Sequence, residues 1–392
     1  MKYNFDEVIN RRGTSSIKWD AGELLKQFGI TERFDEESIP LFVADMDFPP
    51  PQAVLDAMQK RVDHGMFGYT THLTSPEYFE AIINWFKRRH NWEIKKEDIV
   101  YSPGTVHALT IAVKAYTNPG DGVIIQRPVY SPFTRVTEEN DRIVVNNELI
   151  NDNGYYTIDF KDLEEKARMP ENKLFILCSP HNPVGRIWNA VELKRMADIC
   201  QENDVIILSD EIHADLIRSE ETFVPIAKVT DFEKIVVCTA INKTFNLAGL
   251  HCSNIIITHP VLKKKFQKKL GMQFPSPFSI SALIAAYNEG EEWLKQLNDY
   301  IDGNFDFLGD FLKEKLPRLK YRRPEGTYIA WLDFSNYNLS PKEVHERIYM
   351  KANVVLEDGI LFGKKSADFQ RICIPSPRNI IKEAMERIAK EF

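Results

Sequence analysis

With 392 residues, 43% of them hydrophobic and 27% charged, the chain is long enough for two or three domains with well-buried cores. That composition excludes a disulfide-stapled miniature and a disordered chain. Fifty Lys and Arg against fifty-seven Asp and Glu leave a net charge of −7, which supplies no field for gathering phosphate backbones, so nucleic acid is not expected as a partner.

Taken in chain order, Met1 to Asn10 mixes Lys2, Asp6 and Glu7 with single apolar residues and lacks the apolar core of a secretion signal. No strong period marks the segment up to about Pro40. From Ile99 to Thr258 short β-branched runs alternate with stretches of helical period, the pattern of a parallel sheet with crossover helices. The expected strands are Ile99–Tyr101, Val123–Gln126, Leu174–Cys178, Val205–Ser209, Ile235–Thr239 and Asn254–Thr258. Most are continuous apolar runs, as befits strands covered on both faces. Between the first two, Val106, Leu109, Val113 and Tyr116 predict a helix that the turn Asn118-Pro119-Gly120-Asp121-Gly122 stops. After Gly290 a long helical stretch runs through Leu297, Ile301 and Leu308 to Leu316, where Pro317 and Pro324-Glu325-Gly326 break it. A strand over Thr327–Phe334, a helix over Pro341–Lys351, a strand over Arg371–Ile374 and a helix over Ile380–Lys390 then predict a smaller α+β domain. The expected division is an N-terminal segment 1–48 packing with the small domain, a large domain 49–290 and a small domain 291–392. No apolar run approaches the roughly 18 residues of a membrane span. The five cysteines form no Cys-x-x-Cys pair and read as reduced, buried thiols of a cytoplasmic protein. The nine histidines show no metal-ligand spacing, and no metal is expected.

Ligands of an open α/β sheet bind outside the carboxyl ends of its strands. Ile99–Tyr101 runs into Ser102-Pro103-Gly104-Thr105, a small-residue turn before a helix that suits a phosphate or a plain capped helix start. Val123–Gln126 delivers Tyr130, Leu174–Cys178 delivers Asn182 between two prolines, Val205–Ser209 delivers Asp210 and His213, and Ile235–Thr239 delivers Asn242 and Lys243. Each alone is weak. Asp210 also fits a helix N-cap, Lys243 a solvated surface lysine and His213 a packed core residue. Together, an anion cradle, an aromatic ring, an amide, a carboxylate and a lysine at successive strand ends are what pyridoxal 5'-phosphate requires.

The chain resembles the fold-type I pyridoxal-phosphate enzymes, in the class I/II aminotransferase branch that holds cystathionine β-lyases and cystalysin-like carbon–sulfur lyases. The resemblance runs from Ile39–Phe48 through Gly68-Tyr69-Thr70, Ser179–Arg186, Ser209–His213 and Lys243-Thr244-Phe245-Asn246 to Glu325-Gly326-Thr327-Tyr328 and Arg371. It implies an α/β fold with a mostly parallel seven-stranded-type sheet and a smaller α+β domain. It also implies that Lys243 binds the cofactor covalently, Asp210 pairs with its pyridine nitrogen, Asn182 donates to its phenolic oxygen and Tyr130 stacks on its ring. Gly104, Thr105 and Val106 match the phosphate turn, and Arg371 matches the arginine that takes the substrate α-carboxylate, a bidentate task suited to a planar guanidinium. Tyr69 matches a tyrosine that enters the neighbouring subunit's site, which implies a homodimer.

Three positions depart from the common pattern and a fourth marks the subgroup. Asn242 stands for a serine near the phosphate, Ser131 for a second tyrosine, and His251 for a cationic phosphate ligand, while His213 follows Asp210 as in the lyase subgroup. The activity implied is β-elimination from L-cystathionine or related S-substituted cysteines, with Lys243 as general base and Tyr69 or Lys243 steadying the departing sulfur. An amino-acid aminotransferase and a regulatory protein that binds the cofactor are the alternatives.

Overall fold

The computed structural model describes residues 2–392. Its central sheet has seven strands: β1 Ile99–Ser102, β2 Gly122–Ile125, β3 Ile143–Asn146, β4 Asn172–Cys178, β5 Ile206–Asp210, β6 Ile235–Ala240 and β7 Ser253–Ile257. Their spatial order is β1-β7-β6-β5-β4-β2-β3. Every pairing is parallel except those of β7, which runs antiparallel to both β1 and β6. The link 241–252 between β6 and β7 holds only the helix Ile241–Thr244 and a 3-10 turn. A parallel return needs a longer crossover, so the chain turns back on itself.

Strand β3 was not among the expected strands. It is an edge strand, half-buried at most, and its Ile-Val-Val run beside Arg142 lacks the continuous apolar signature of its neighbours. In the inner strands alternate residues face two separate apolar layers. Ile125, Ile176, Leu208 and Val236 join one, while Ile124, Phe175, Ile207 and Val237 join the other. Each such side chain, fully withdrawn from water, stabilises the fold by about 1.5–3 kcal/mol.

A second sheet of four antiparallel strands lies C-terminal to the helix Glu291–Lys315: β8 Lys320–Tyr321, β9 Ile329–Asp333, β10 Glu357–Asp358 and β11 Phe369–Cys373, in the order β8-β9-β11-β10. The expected helix over Pro341–Lys351 is α-helical only to His345, with a Ser340/Glu343 capping box, and continues as a π-helix over Glu346–Lys351. Ile39–Pro40 pairs in parallel with Val354–Val355, tying the N-terminal segment to this part of the chain. Among the described residues no helix is long and apolar enough to cross a membrane, and no cluster of metal-ligating side chains exists.

Candidate active site

The polar strand-end residues leave the sheet at one edge. In the ladder, Cys178 of β4 stands opposite Asp210 of β5, which stands opposite Cys238 of β6. Asp210 is therefore presented between the loops that carry Asn182 and Lys243. Ser253 of β7 pairs with both Ser102 and Ala240, so the Gly104 turn and the Lys243 turn start at the same level on either side of β7.

A cavity of about 480 Å³ opens there, lined by Tyr130, Asn182, Asp210, His213, Lys243 and Arg371 among others. Lys243 is half-buried, and its Nζ donates to the carbonyl of Ala44 at 2.6 Å. It forms no ion pair with any described residue, and burial pulls its pKa down against the more distant negative groups. Asp210 is buried, with only the Ile212 N–H reaching its carboxylate, at 3.4 Å. Burial pushes it up to about 7, against that N–H and the Lys243 charge. A buried carboxylate held this weakly lacks a donor or a cation, the need that a protonated ring nitrogen fills.

Asn182 is buried, receives Arg371 Nη1 on its Oδ1 at 3.3 Å, and gives its carbonyl to the Tyr130 N–H at 3.0 Å. Gly185 fixes that loop: with φ +72° and a hypothetical Cβ 2.3 Å from Pro324 Cβ, it admits no side chain, and its carbonyl takes the N–H groups of Glu325 and Gly326. Burial pushes the Tyr130 phenol up to about 12, leaving it neutral. His213 is buried edge-to-face against Tyr328 and its Nδ1 has no partner; burial and the Lys243 and Arg371 charges hold it neutral.

Gly104, Thr105, Val106, Asn242 and Tyr69 do not line the cavity. Gly104 has φ +139° with open space where a Cβ would stand, and it starts the helix Thr105–Tyr116 without a side-chain cap. That helix start keeps free N–H donors for an anion. Thr105 is instead hydrogen-bonded through its hydroxyl to Ser253, at 3.0 Å. The Asn242 amide, oriented to donate, reaches the carbonyls of Leu247 and Cys252 at 3.3 Å each. Tyr69 is fully exposed, near Met66, Phe67 and Leu73, which are exposed as well.

A family model for aminotransferase class I and II matches residues 36–388. The chain belongs to that family. It is 41% identical over 391 residues to cystathionine beta-lyase PatB of Bacillus subtilis strain 168, covering 98% of each chain. Among solved structures it resembles cystalysin of Treponema denticola, which contains pyridoxal 5'-phosphate, with a TM-score of 0.95, 36% identity and coverage of 100% and 99%. It also resembles the cofactor-bound carbon–sulfur lyase of Staphylococcus hominis, with a TM-score of 0.94, 37% identity and coverage of 100% and 98%.

Several residues of this family member's site escape sequence reasoning. Glu357 lines the cavity and pairs with Arg371. The backbone of Phe42–Asp47 acts as a strap, because Ala44 accepts from both Lys243 and Tyr328 OH while Phe42 accepts from Arg371 Nη2 at 2.7 Å. Ile17, Leu24 and Phe28 of the N-terminal segment supply apolar wall to the cavity. Carbonyl acceptors carry no residue-type signal, and a wall built by a distant segment has no local pattern.

Proposed function

We propose that the protein is a pyridoxal-phosphate-dependent carbon–sulfur β-lyase that cleaves L-cystathionine or related S-substituted L-cysteines to a thiol, pyruvate and ammonia. The observation that carries this reading is Lys243. Its amine lies in a cavity with Asp210, Asn182, Tyr130 and Arg371 and has no carboxylate partner. The full-length likeness to cystathionine beta-lyase PatB favours elimination over amino transfer.

When bound, pyridoxal phosphate supplies an electron sink that acidifies the substrate Cα–H. Lys243 Nζ, its basicity already moderated by burial, is the base that takes the Cα proton. Asp210 offers its carboxylate to a ring nitrogen, an interaction that would hold it ionised despite burial. Tyr130 provides the stacking ring, Asn182 a donor, and the Gly104–Val106 turn the anion cradle, with Asn242 and His213 flanking the site. Arg371 takes the α-carboxylate. Tyr69, exposed on the single chain, enters the site of a neighbouring subunit in a homodimer and steadies the departing sulfur.

This reading divides the chain into a segment 1–48 that packs with the small domain, a large cofactor-binding domain 49–290 and a small domain 291–392. It places the protein in the cytoplasm, in keeping with five free, buried cysteines.

The test is pyruvate production from L-cystathionine by the cofactor-loaded protein with no oxo acid added. Catalytic pyruvate with one equivalent of thiol is expected. No pyruvate in that assay, together with consumption of an oxo acid added in a parallel one, would replace the lyase reading with amino transfer.

A further inference from the structure

Arg371 of β11 and Glu357 of β10 stand directly opposite each other in an antiparallel register, and both side chains line the cavity. Arg371 is buried, and its Nη2 carries two contacts: the Phe42 carbonyl at 2.7 Å and, closest of all, the Glu357 carboxylate. Nη1 reaches Asn182 Oδ1 at 3.3 Å, and Nε is buried with no partner.

A carboxylate grips a guanidinium bidentately either across Nη1 and Nη2 or across Nε and Nη2. Nη2 belongs to both forks. Here Nη2 already carries the Phe42 carbonyl and is paired with the Glu357 carboxylate, so an incoming carboxylate meets a like charge at the nitrogen common to both forks while Glu357 stays in place. The Phe42 carbonyl belongs to the backbone strap, whereas Glu357 is a side chain that lines the cavity and keeps 21% of its surface exposed, so it is the partner that a rotation could release. Burial also holds the Glu357 carboxyl above its ordinary range despite the guanidinium, so its anion is poorly accommodated once a second carboxylate competes for the same charge.

We propose that Glu357 is a built-in competitor for the substrate α-carboxylate, holding Arg371 Nη2 in the empty site and yielding it when an amino acid binds. This rests on the assignment of Arg371 to the α-carboxylate. Glu357 thus sets the affinity for amino acids and narrows their advantage over amines that lack a carboxylate, which leave the Arg371–Glu357 pair undisturbed. It is a specificity-determining residue that acts through Arg371.

The experiment compares L-alanine with ethylamine, which differ by the carboxylate alone and carry no leaving group. Each is titrated into cofactor-loaded wild-type protein and Glu357→Gln, reading the change in the cofactor's visible absorption. Glutamine keeps an acceptor at Nη2 but removes the competing charge. The half-saturating L-alanine concentration should fall about fivefold while that of ethylamine stays within about twofold. An L-alanine constant that is unchanged or higher would overturn the proposal, and so would an equal shift for both amines. Glu357→Asp, whose carboxylate is drawn back by one methylene, should shift L-alanine in the same direction by less and decides the matter if the glutamine variant does not fold. Pyruvate release from L-cystathionine, measured on the same wild-type protein, separates this outcome from that of the lyase reading: amine binding without pyruvate would sink the lyase reading and leave the Glu357 result standing.

Discussion

Two lysines reach the same strap of chain and end in opposite states. Lys18 is fully buried and saturated, with Nζ on Asp47 Oδ2 at 2.8 Å, the Asp45 carbonyl at 3.1 Å and Ser376 Oγ at 3.3 Å. Asp47 is shared further with Arg11 and Trp19, and although burial works against its charge, Lys18 and the hydrogen bonds hold it below the usual carboxylate range. Lys243 has one carbonyl and no carboxylate. An ammonium has three donors, and filling all three with a carboxylate among them fixes a charge in place, whereas leaving two open beside a cavity makes the proton removable. The first lysine anchors the strap, and the second uses the strap as its rest.

The largest effect should come from the open lysine. Lys243→Ala should cost turnover by a factor of about 10²–10⁴ or more, while urea unfolding of the cofactor-free protein at pH 7 should show little loss of stability, because the half-buried amine it removes has no ion-pair partner. Wild-type elimination by that variant would end the distinction between the two lysines. Lys18→Met should behave in the reverse way, lowering stability by about 3–5 kcal/mol, as expected when one partner of a buried ion pair is removed. The urea midpoint at constant m-value measures it. A loss below about 1 kcal/mol would mean that Arg11, Trp19 and Ser376 hold Asp47 without the lysine.

Asp210 sharpens the contrast from the acidic side. Its pKa is raised from 3.8 to about 7, so its contribution to the cofactor-free fold is complete below about 4 and is lost as the pH rises to about 7. Buried His72, His181 and His213, held neutral, contribute the opposite slope over the same window in both proteins, so the melting temperature of cofactor-free wild type should fall relative to that of Asp210→Asn as the pH rises from about 4 to about 7. Glu211, which burial pushes up to about 8, leaves a residual slope of the same sign. An unaltered slope in the variant would show that Asp210 is solvated. The smallest effect expected is that of Thr244→Val. Thr244 follows Lys243 and donates to buried Asp215 at 3.1 Å, and Asp215 keeps His90 and Trp85 when that hydroxyl is gone. A loss of about 0.5–1.5 kcal/mol in urea unfolding, with cofactor uptake intact, is expected.

Much of the site is legible in the sequence because a polar residue directly after a continuous apolar run marks the end of a buried strand, which is where an open α/β sheet binds its ligands. Asp210 closes β5, and Lys243 follows β6 by three residues. Tyr130 and Asn182 follow β2 and β4 in the same way. Arg371 is different. It lies within a strand of the small sheet, where only family resemblance points to it.

Local features follow from residue order alone: the buried strands through their apolar runs, the long helix Glu291–Lys315 through its period, and the strand-end residues through their position after those runs. Tertiary structure alone decided the partners. The Ile39–Pro40 pairing with Val354–Val355, the strap carbonyls under Lys243 and Arg371, and Glu357 across from Arg371 join residues that are distant in sequence or that act through backbone atoms common to every residue type. Short-range patterning can mark a group as ready for chemistry. Whether that group is satisfied or left open depends on what the rest of the chain brings within hydrogen-bond reach, and no local pattern records it.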